Sequence, residues 1–346
     1  MMAKLDNSES NSSQFINHAS ITNYASTWQR LYPQSDNMVA NTNNSAITPD
    51  NRGLAYGDGF FTTIGVIDGS ILWPEYHYQR LLSHAHALQL AVDSDSLLAT
   101  LQAHAQQLQQ GVIKVIVTRA VQAVRGYGFA ADMDASPCEV WSKATAMTID
   151  TAQHAQLPDG HSVLIQPMTS AVCLTAQLAC LPPSLAGLKS LNRLDNVLAS
   201  GELQRLKAKS LKSNAELGVG EGIGIGEGLV RDISGSWVEG TMSNVFYQLS
   251  SAQSTDSSDK AKANYPDDSL LSGQWFTPPL MQSGVAGVMR QVIIDAFAKT
   301  KTPVIVRALN DDDLPNLTQM FFCNALRGVM PVKSLALLSG EVVEFG

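Results

Sequence analysis

The run Val112-Ile113-Lys114-Val115-Ile116-Val117-Thr118 is almost entirely β-branched, and such residues suit a pleated strand better than a helix. An apolar strand of this kind has to be paired and covered, so the chain around it must supply a sheet and helices. Residues 139–148 read as its partner strand. Ahead of it, Ser70-Ile71-Leu72-Trp73 reads as another strand. Tyr78, Leu81, Leu82, Ala85 and Leu88 then recur at helical spacing, as do Leu97, Leu98, Leu101, Ala105 and Leu108. These elements predict a first α/β domain over residues 27–155. Residues 151–160 are polar, carry Pro158 and Gly160, and have the composition of a linker. Beyond it, residues 161–346 alternate short strands, such as Val163-Leu164-Ile165 and Val245-Phe246-Tyr247, with a few helices. This predicts a second, strand-rich α/β domain. The expected class is α/β (α+β) in two domains.

A chain of 346 residues buries a large core and divides into about two domains. Its net charge of −8, with no cluster of Lys and Arg, argues against a nucleic-acid partner. Cys138, Cys173, Cys180 and Cys323 form no Cys-x-x-Cys pair, so neither a zinc site nor a redox motif is supported. Four buried, reduced thiols are expected instead. Residues 1–26, rich in Asn and Ser, lack the apolar stretch of a signal peptide and read as a disordered leader. No run reaches the roughly 20 apolar residues of a membrane span, so a soluble, cytoplasmic protein with no membrane partner is expected.

Two stretches interrupt the second domain. Residues 218–228 alternate Gly with Val, Glu and Ile, and residues 250–273 form a Ser/Asp/Lys run. Both read as flexible insertions with no catalytic role. Two glycine patterns imitate nucleotide sites. Gly126-Tyr127-Gly128-Phe129-Ala130-Ala131 has dinucleotide-site spacing, but residues 122–125 separate it from its strand and Pro137 soon ends any helix. The 218–228 run lacks the Lys-Ser/Thr ending of a phosphate loop.

Lys189 is the residue with the most chemical content. It stands in Ala186-Gly187-Leu188-Lys189-Ser190-Leu191-Asn192-Arg193-Leu194-Asp195-Asn196, between leucines and ahead of a helical pattern. An ammonium in apolar surroundings loses hydration, which disfavours its charged form and makes the amine a nucleophile near neutral pH. Three other motifs accompany it. They are Asn51-Arg52-Gly53-Leu54-Ala55-Tyr56-Gly57-Asp58-Gly59-Phe60-Phe61-Thr62-Thr63, then His77-Tyr78-Gln79-Arg80-Leu81, and Val238-Glu239-Gly240-Thr241-Met242-Ser243-Asn244-Val245-Phe246. Gly284-Val285-Ala286-Gly287-Val288-Met289-Arg290 and Cys323-Asn324-Ala325 follow in order.

With these motifs the chain resembles the fold-type IV pyridoxal-phosphate enzymes, the class-IV aminotransferase superfamily, and within them the aminodeoxychorismate lyases. The resemblance covers about residues 45–340. It implies two domains with pyridoxal 5'-phosphate between them and Lys189 as the Schiff-base lysine and catalytic base. Glu239 would sit beside the ring nitrogen and Arg80 on the phosphate. Thr241, Ser243 and Asn244 would add hydrogen bonds. Physical chemistry supports the second half of the phosphate cup. Ser283-Gly284 precedes Val288, Met289, Val292, Ile293 and Ala296 at helical spacing, so Gly287, Val288 and Met289 would offer backbone amides at a helix N-terminus, where anions bind.

The resemblance further implies the small-molecule substrate 4-amino-4-deoxychorismate, converted to p-aminobenzoate and pyruvate in folate biosynthesis, and a homodimer. Substrate contacts fall on Arg125, Asn324 and Ala325. A transaminase of the same fold, acting on D-amino or branched-chain amino acids, shares Lys189, Glu239 and Arg80 and stays open as an alternative. The continuation Leu191-Asn192-Arg193-Leu194 is the form of the lyases. Asn51 departs from the family's usual Asp, and Thr62 from the Glu of many relatives. No metal is expected: His84 and His86 do not share a helix face, and His77 and His84 do but have no third ligand at suitable spacing.

Overall fold

The computed structural model describes residues 27–32, 47–130, 135–149, 153–216, 224–250 and 271–345. The leader expected over residues 1–26 and most of both expected insertions lie outside the described residues. In chain order the first half contains β1 (Gln29–Tyr32), α1 (Arg52–Tyr56), β2 (Gly59–Ile67), β3 (Ser70–Ile71) and α2 (Pro74–Ala87). It continues with β4 (Leu90–Ala91), α3 (Ser94–Leu108), β5 (Gly111–Arg119) and β6 (Ser136–Ala146). The sheet runs β1-β6-β5-β2-β3, with β4 on the side of β6. The β-branched run is β5, paired antiparallel with β2 from Gly59 opposite Thr118 to Val66 opposite Gly111.

Side chains alternate across a strand, and here the alternation sorts core from site. Phe60, Ile64 and Val66 of β2 and Ile113, Val115 and Val117 of β5 pack beneath Leu81 and Ala85 of α2 and Leu97 and Leu101 of α3. Phe61 and Thr63 of β2 and Lys114 of β5 point the other way, into a cavity shared with the second half. A one-residue slip between these strands would exchange the two sets.

The second half contains β7 (Gln153–Gln156), β8 (Ser162–Ile165), β9 (Thr169–Leu178), α4 (Leu194–Glu216), β10 (Ile225–Asp232), β11 (Trp237–Gly240) and β12 (Asn244–Leu249). After these come β13 (Phe276–Thr277), α5 (Val288–Phe297), β14 (Ile305–Val306), β15 (Leu317–Asn324), β16 (Gly328–Ala336) and β17 (Val342–Glu344). The pairings β12-β11-β10-β9-β16-β15 return to β12 and close a barrel. Cys173, Leu229, Trp237, Tyr247, Phe322 and Met330 fill its interior. The alternate residues Phe246, Phe321 and Cys323 face outward against Met289, Val292 and Ile293 of α5. Ala199 and Leu203 of α4 cover Leu174 and Val230.

The mixed α/β class holds, with three local corrections. Residues 153–156, expected within a linker, form β7 and pair with β8, so the chain has already joined the second sheet at Gln153. The strand reads as polar because it is mostly exposed at the sheet's edge. Residues 225–228, expected within an insertion, begin β10 and run parallel to β9. Their glycines serve close packing: a Cβ on Gly226 would overlap Thr169, and one on Gly228 would overlap Leu174. Cys138, Cys173 and Cys323 are free and buried, but Cys180 is only half-buried. Leu101 is fully buried between α3 and the first sheet, so Leu101→Ala is expected to cost about 3 kcal/mol through lost burial and the cavity left behind. The denaturant midpoint at constant m-value measures it; a loss under about 1 kcal/mol would mean this layer is not close-packed.

Candidate active site

Lys189 lies on the segment between β9 and α4, and its main chain is tied to the first half on both sides. Phe61 N–H donates to Lys189 O at 3.0 Å and Leu191 N–H to Gly59 O at 3.0 Å. Lys189 N–H donates to His84 Nε2 at 2.9 Å. Gly59 must be glycine for this approach, since a Cβ there would overlap the Val117 carbonyl. The Lys189 ammonium sits 4.8 Å from the Phe61 ring centroid, and Lys114 sits 5.3 Å from the same ring. Burial lowers the proton affinity of Lys189, and the charges of Arg80, Arg193 and Lys114 lower it further, while Glu239 opposes them. Its apolar and cationic surroundings thus act in the direction of an activated amine.

Glu239, at the end of β11, is buried. Its Oε2 accepts from Val285 N–H at 2.8 Å and from Asn244 Nδ2 at 3.3 Å, and its Oε1 takes only a 3.4 Å contact from Asn196 Nδ2. Burial raises its proton affinity, against the Val285 amide and the charges of Arg193 and Lys189. A buried carboxylate with one oxygen so weakly satisfied suits a cationic N–H partner such as a pyridinium.

Arg80 faces the opposite requirement. It is buried on α2, and its Nη2 donates to Ala286 O at 2.7 Å and its Nη1 to Thr62 Oγ1 at 3.4 Å. Among the described residues no carboxylate pairs with it. Burial pulls its pKa down to about 10, still charged at neutral pH. A desolvated guanidinium without a counter-charge is a site for an anion. Beside it Gly287 caps α5 without any side-chain cap, so the first amides of that helix remain available. A Cβ on Gly287 would overlap Asn244 Oδ1. Val288 lines the cavity with Gly287. Met289 does not line it: its side chain is fully buried in the core behind the helix.

These groups line one cavity of about 500 Å³ between the open face of the first sheet and an end of the barrel. Thr241, Ser243, Asn244, Asn324 and Ala325 line it too. Some of their polar atoms are already committed. Ser243 Oγ donates to Glu227 Oε2 at 2.8 Å, and Asn244 Nδ2 donates to Val285 O at 2.8 Å as well as to Glu239. Asn324 Oδ1 accepts from Arg327 N–H at 2.8 Å and closes the turn between β15 and β16. Glu227, placed by sequence in an insertion without a role, is buried. It accepts from Gly228 N–H, Thr241 N–H, Thr241 Oγ1 and Ser243 Oγ, and so holds the turn that follows Glu239.

Arg125 is not brought to this cavity. It is exposed on the loop after β5, which is drawn along α1: Arg52 donates to the carbonyls of Gly126 and Tyr127, and the Tyr56 and Tyr127 rings meet edge to face at 5.3 Å. The loop instead sends Tyr127 and Phe129 to a neighbouring cavity. Among the described residues no helix follows its glycines. Cations that sequence reasoning missed, Lys114 and Arg193, line the main cavity. Register would have found Lys114, which stands opposite Thr63. Helical spacing would have found Arg193, Asn196 and Ser200, which share one face. Among the described residues no group of three or more His, Cys, Asp or Glu is arranged to hold a metal.

Both departures from the family pattern have local partners. Asn51 Nδ2 donates to Glu139 Oε2 at 3.0 Å and to Thr118 Oγ1 at 3.1 Å, while its Oδ1 caps α1 through Leu54 N–H. An Asp there would set two carboxylates against each other. Thr62 Oγ1 lies 3.0 Å from His77 Nδ1, so a neutral pair occupies that place. His77 and His84 are both buried and both lowered to about 3, first by burial and then by Arg80, with Lys189 and Arg193 adding to the effect on His84.

An unfolded chain takes up these protons near pH 6.5 and the folded one does not. The two histidines therefore leave stability untouched above that pH and reduce it as pH falls from about 6.5 toward about 3. Together they contribute a slope of about 2.7 kcal/mol per pH unit in that window. Urea midpoints between about pH 7.5 and about pH 5 measure it, and His77→Asn, which does not titrate, is expected to reduce the slope by about 1.4 kcal/mol per unit. An unchanged slope in that variant would place a charged histidine in the folded protein.

An amine of lowered proton affinity, a buried carboxyl and an anion cup around one cavity fit pyridoxal phosphate. Among curated proteins, an aminodeoxychorismate lyase from Vibrio harveyi is 24% identical over 292 residues, which is 84% of this chain and 88% of that protein. Among solved structures, 4-amino-4-deoxychorismate lyase from Pseudomonas aeruginosa matches with a TM-score of 0.62 and 28% identity, over 87% of this chain and 90% of its own. The branched-chain amino acid aminotransferase of Escherichia coli matches with a TM-score of 0.60 over 87% and 85%, and at 18% identity it shows the shared fold alone. The model of amino-transferase class IV matches residues 59–335, and enzymes of that kind depend on pyridoxal phosphate. With most of its length under that match, the chain belongs to the amino-transferase class IV family.

Proposed function

We propose that this protein is a lyase that converts 4-amino-4-deoxychorismate to p-aminobenzoate and pyruvate. The observation that carries the reading is the charge of the cavity: Arg80, Lys114, Lys189 and Arg193 line it against the single carboxylate Glu239. Once Arg80 and the α5 N-terminus hold the cofactor's phosphate, Lys114 and Arg193 remain, and a substrate with two carboxylates matches them. The likeness to the Pseudomonas aeruginosa lyase supports the same choice. A homodimer, implied by the resemblance, is part of the proposal, and Leu194, Val197 and Leu198 of α4 stand exposed beside the cavity as apolar area suited to a second copy.

Bound pyridoxal phosphate supplies an electron sink for the pair left when the substrate loses its proton. Glu239 holds a proton at the ring nitrogen, which keeps that sink open. Lys189, whose pKa burial pulls down to about 8 so that its free amine is within reach, takes the proton from the amine-bearing carbon of the substrate. The electron pair left by that proton expels the neighbouring enolpyruvyl group with its oxygen, the released enolpyruvate takes up a proton to become pyruvate, and aromatisation of the ring drives the reaction forward. Lys114 and Arg193 hold the carboxylates, so the proton to be removed faces the Lys189 side.

Supplied with 4-amino-4-deoxychorismate and no keto acid, the purified protein is expected to release pyruvate and p-aminobenzoate in equal amounts. Absence of both, with amino-group transfer from D-alanine or a branched-chain amino acid once a keto acid is added, would make it a transaminase. Lys189→Ala is expected to abolish product release. Glu239→Gln is expected to keep the cofactor bound and to lower kcat by about a hundredfold or more, the scale of one lost electrostatic partner at the reacting centre. Product release at the wild-type rate by Lys189→Ala would end the mechanism.

A further inference from the structure

The side chain of His84 hydrogen-bonds the main chain of Lys189, and the groups behind it form a connected series. Lys189 N–H donates to His84 Nε2 at 2.9 Å. With Nε2 accepting, the ring proton belongs on Nδ1, which lies 3.2 Å from Ser83 Oγ and donates to it. The Ser83 hydroxyl then donates its own proton to Arg80 O at 3.2 Å. The series runs from the lysine that takes the cofactor's aldehyde to the residue that takes its phosphate. The ring itself is held: His84 is 4% exposed and meets the Phe60 ring edge to face at 5.4 Å.

We propose that His84 is a positioning residue that sets the Lys189 amine against the Arg80 anion site, and that it does so only as the neutral Nδ1–H tautomer. The proposal rests on Lys189 as the residue that captures the aldehyde and not on which substrate follows. A cofactor with an aldehyde at one end and a phosphate at the other gains from binding both ends only when the two sites are at the right separation. The 283–287 loop and Thr62 fix Arg80; the His84 series fixes Lys189 to the same helix. The groups facing His84 also oppose its protonation. Burial comes first, and the charges of Arg80 on α2 and of Lys189 and Arg193 on the segment leading into α4 add to it, with no carboxylate among the groups that shift it, while the Phe60 ring on β2 holds the imidazole in place. A protonated ring would lose the acceptor and add a charge among three others.

The test uses the full chain freed of cofactor, as wild type, His84→Phe and His84→Gln. Phe keeps the ring against Phe60 without an acceptor, and Gln brings a carbonyl oxygen to about the reach of Nε2. Each protein is titrated with pyridoxal phosphate and with pyridoxal, which lacks the phosphate. The adduct is fixed with borohydride and the modified lysine is identified by peptide mass spectrometry. The label is expected on Lys189. The preference for pyridoxal phosphate over pyridoxal is expected to fall about tenfold in His84→Phe, the scale of one lost hydrogen bond, and to recover to within about threefold in His84→Gln. An unchanged preference in His84→Phe, or an equal fall in His84→Gln, would overturn the proposal with Lys189 still labelled. Label on another lysine would overturn the Lys189 assignment itself. In the wild-type protein, which needs no variant to fold, nitrogen NMR of labelled histidine is expected to find His84 protonated on Nδ1 and bare on Nε2 from about pH 8 to about pH 5. The opposite tautomer, or a ring that titrates near its ordinary value, would overturn the role.

Discussion

A buried guanidinium without a carboxylate organises this molecule. Arg80 belongs to the first half by its helix and to the second by its bond to Ala286 O, and its charge is desolvated at the seam between them. Leaving such a charge unpaired costs several kcal/mol, so the arrangement makes sense only if an anion arrives there. The rest of the site follows from the same seam. The α5 N-terminus points its amides at it, Gly287 stays bare so that Asn244 can pass beneath, and Asn244 in turn steadies Glu239. Stability has been exchanged for an anion site, as is usual at functional centres.

The legible parts of the fold were those whose information is local. The β-branched run became β5 because its residues cannot sit well elsewhere, and helical spacing found α2 and α3. Barrel closure could not be read in that way. β9 pairs in parallel with β10 and β16, and such contacts join segments far apart whose own period says nothing of the partner. The glycines at 226 and 228 looked like a flexible tract because composition cannot distinguish a mobile glycine from one pressed against Thr169 or Leu174. Glu227 was lost with them, although it is the acceptor that shapes the turn after Glu239.

The candidate site was legible where a motif carried it and illegible where three-dimensional pairing did. Lys189, Glu239, Arg80 and the α5 N-terminus meet in one cavity, since each needs only its own segment to be recognised. Arg125 was placed by analogy alone, and the loop that carries it is fastened to α1 instead. Asn51 shows how a departure can be a compensation: it stands opposite Glu139, and its amide both caps the helix and donates to that carboxylate, which an ionised Asp could not do. The histidines of α2 were weighed as metal ligands because spacing was the only measure available. The surroundings of His77 and His84 make those two neutral hydrogen-bonding groups.

The order of influences on Lys189 bears on how one amine can serve twice. Burial comes first, ahead of the repulsion from Arg80, Arg193 and Lys114. A phosphate seated on Arg80 would cancel much of that cation's effect, and under the proposed function substrate carboxylates would do the same for Lys114 and Arg193. Were charge repulsion the main cause, the proton affinity of Lys189 would return toward its ordinary value as the site filled, and the free amine would become scarce when the substrate is in place. Because desolvation leads, and a filled cavity excludes still more water, the proton affinity of the amine stays lowered in both situations. The apolar setting that first drew attention to Lys189 is therefore what lets it act after the surrounding cations have found their partners.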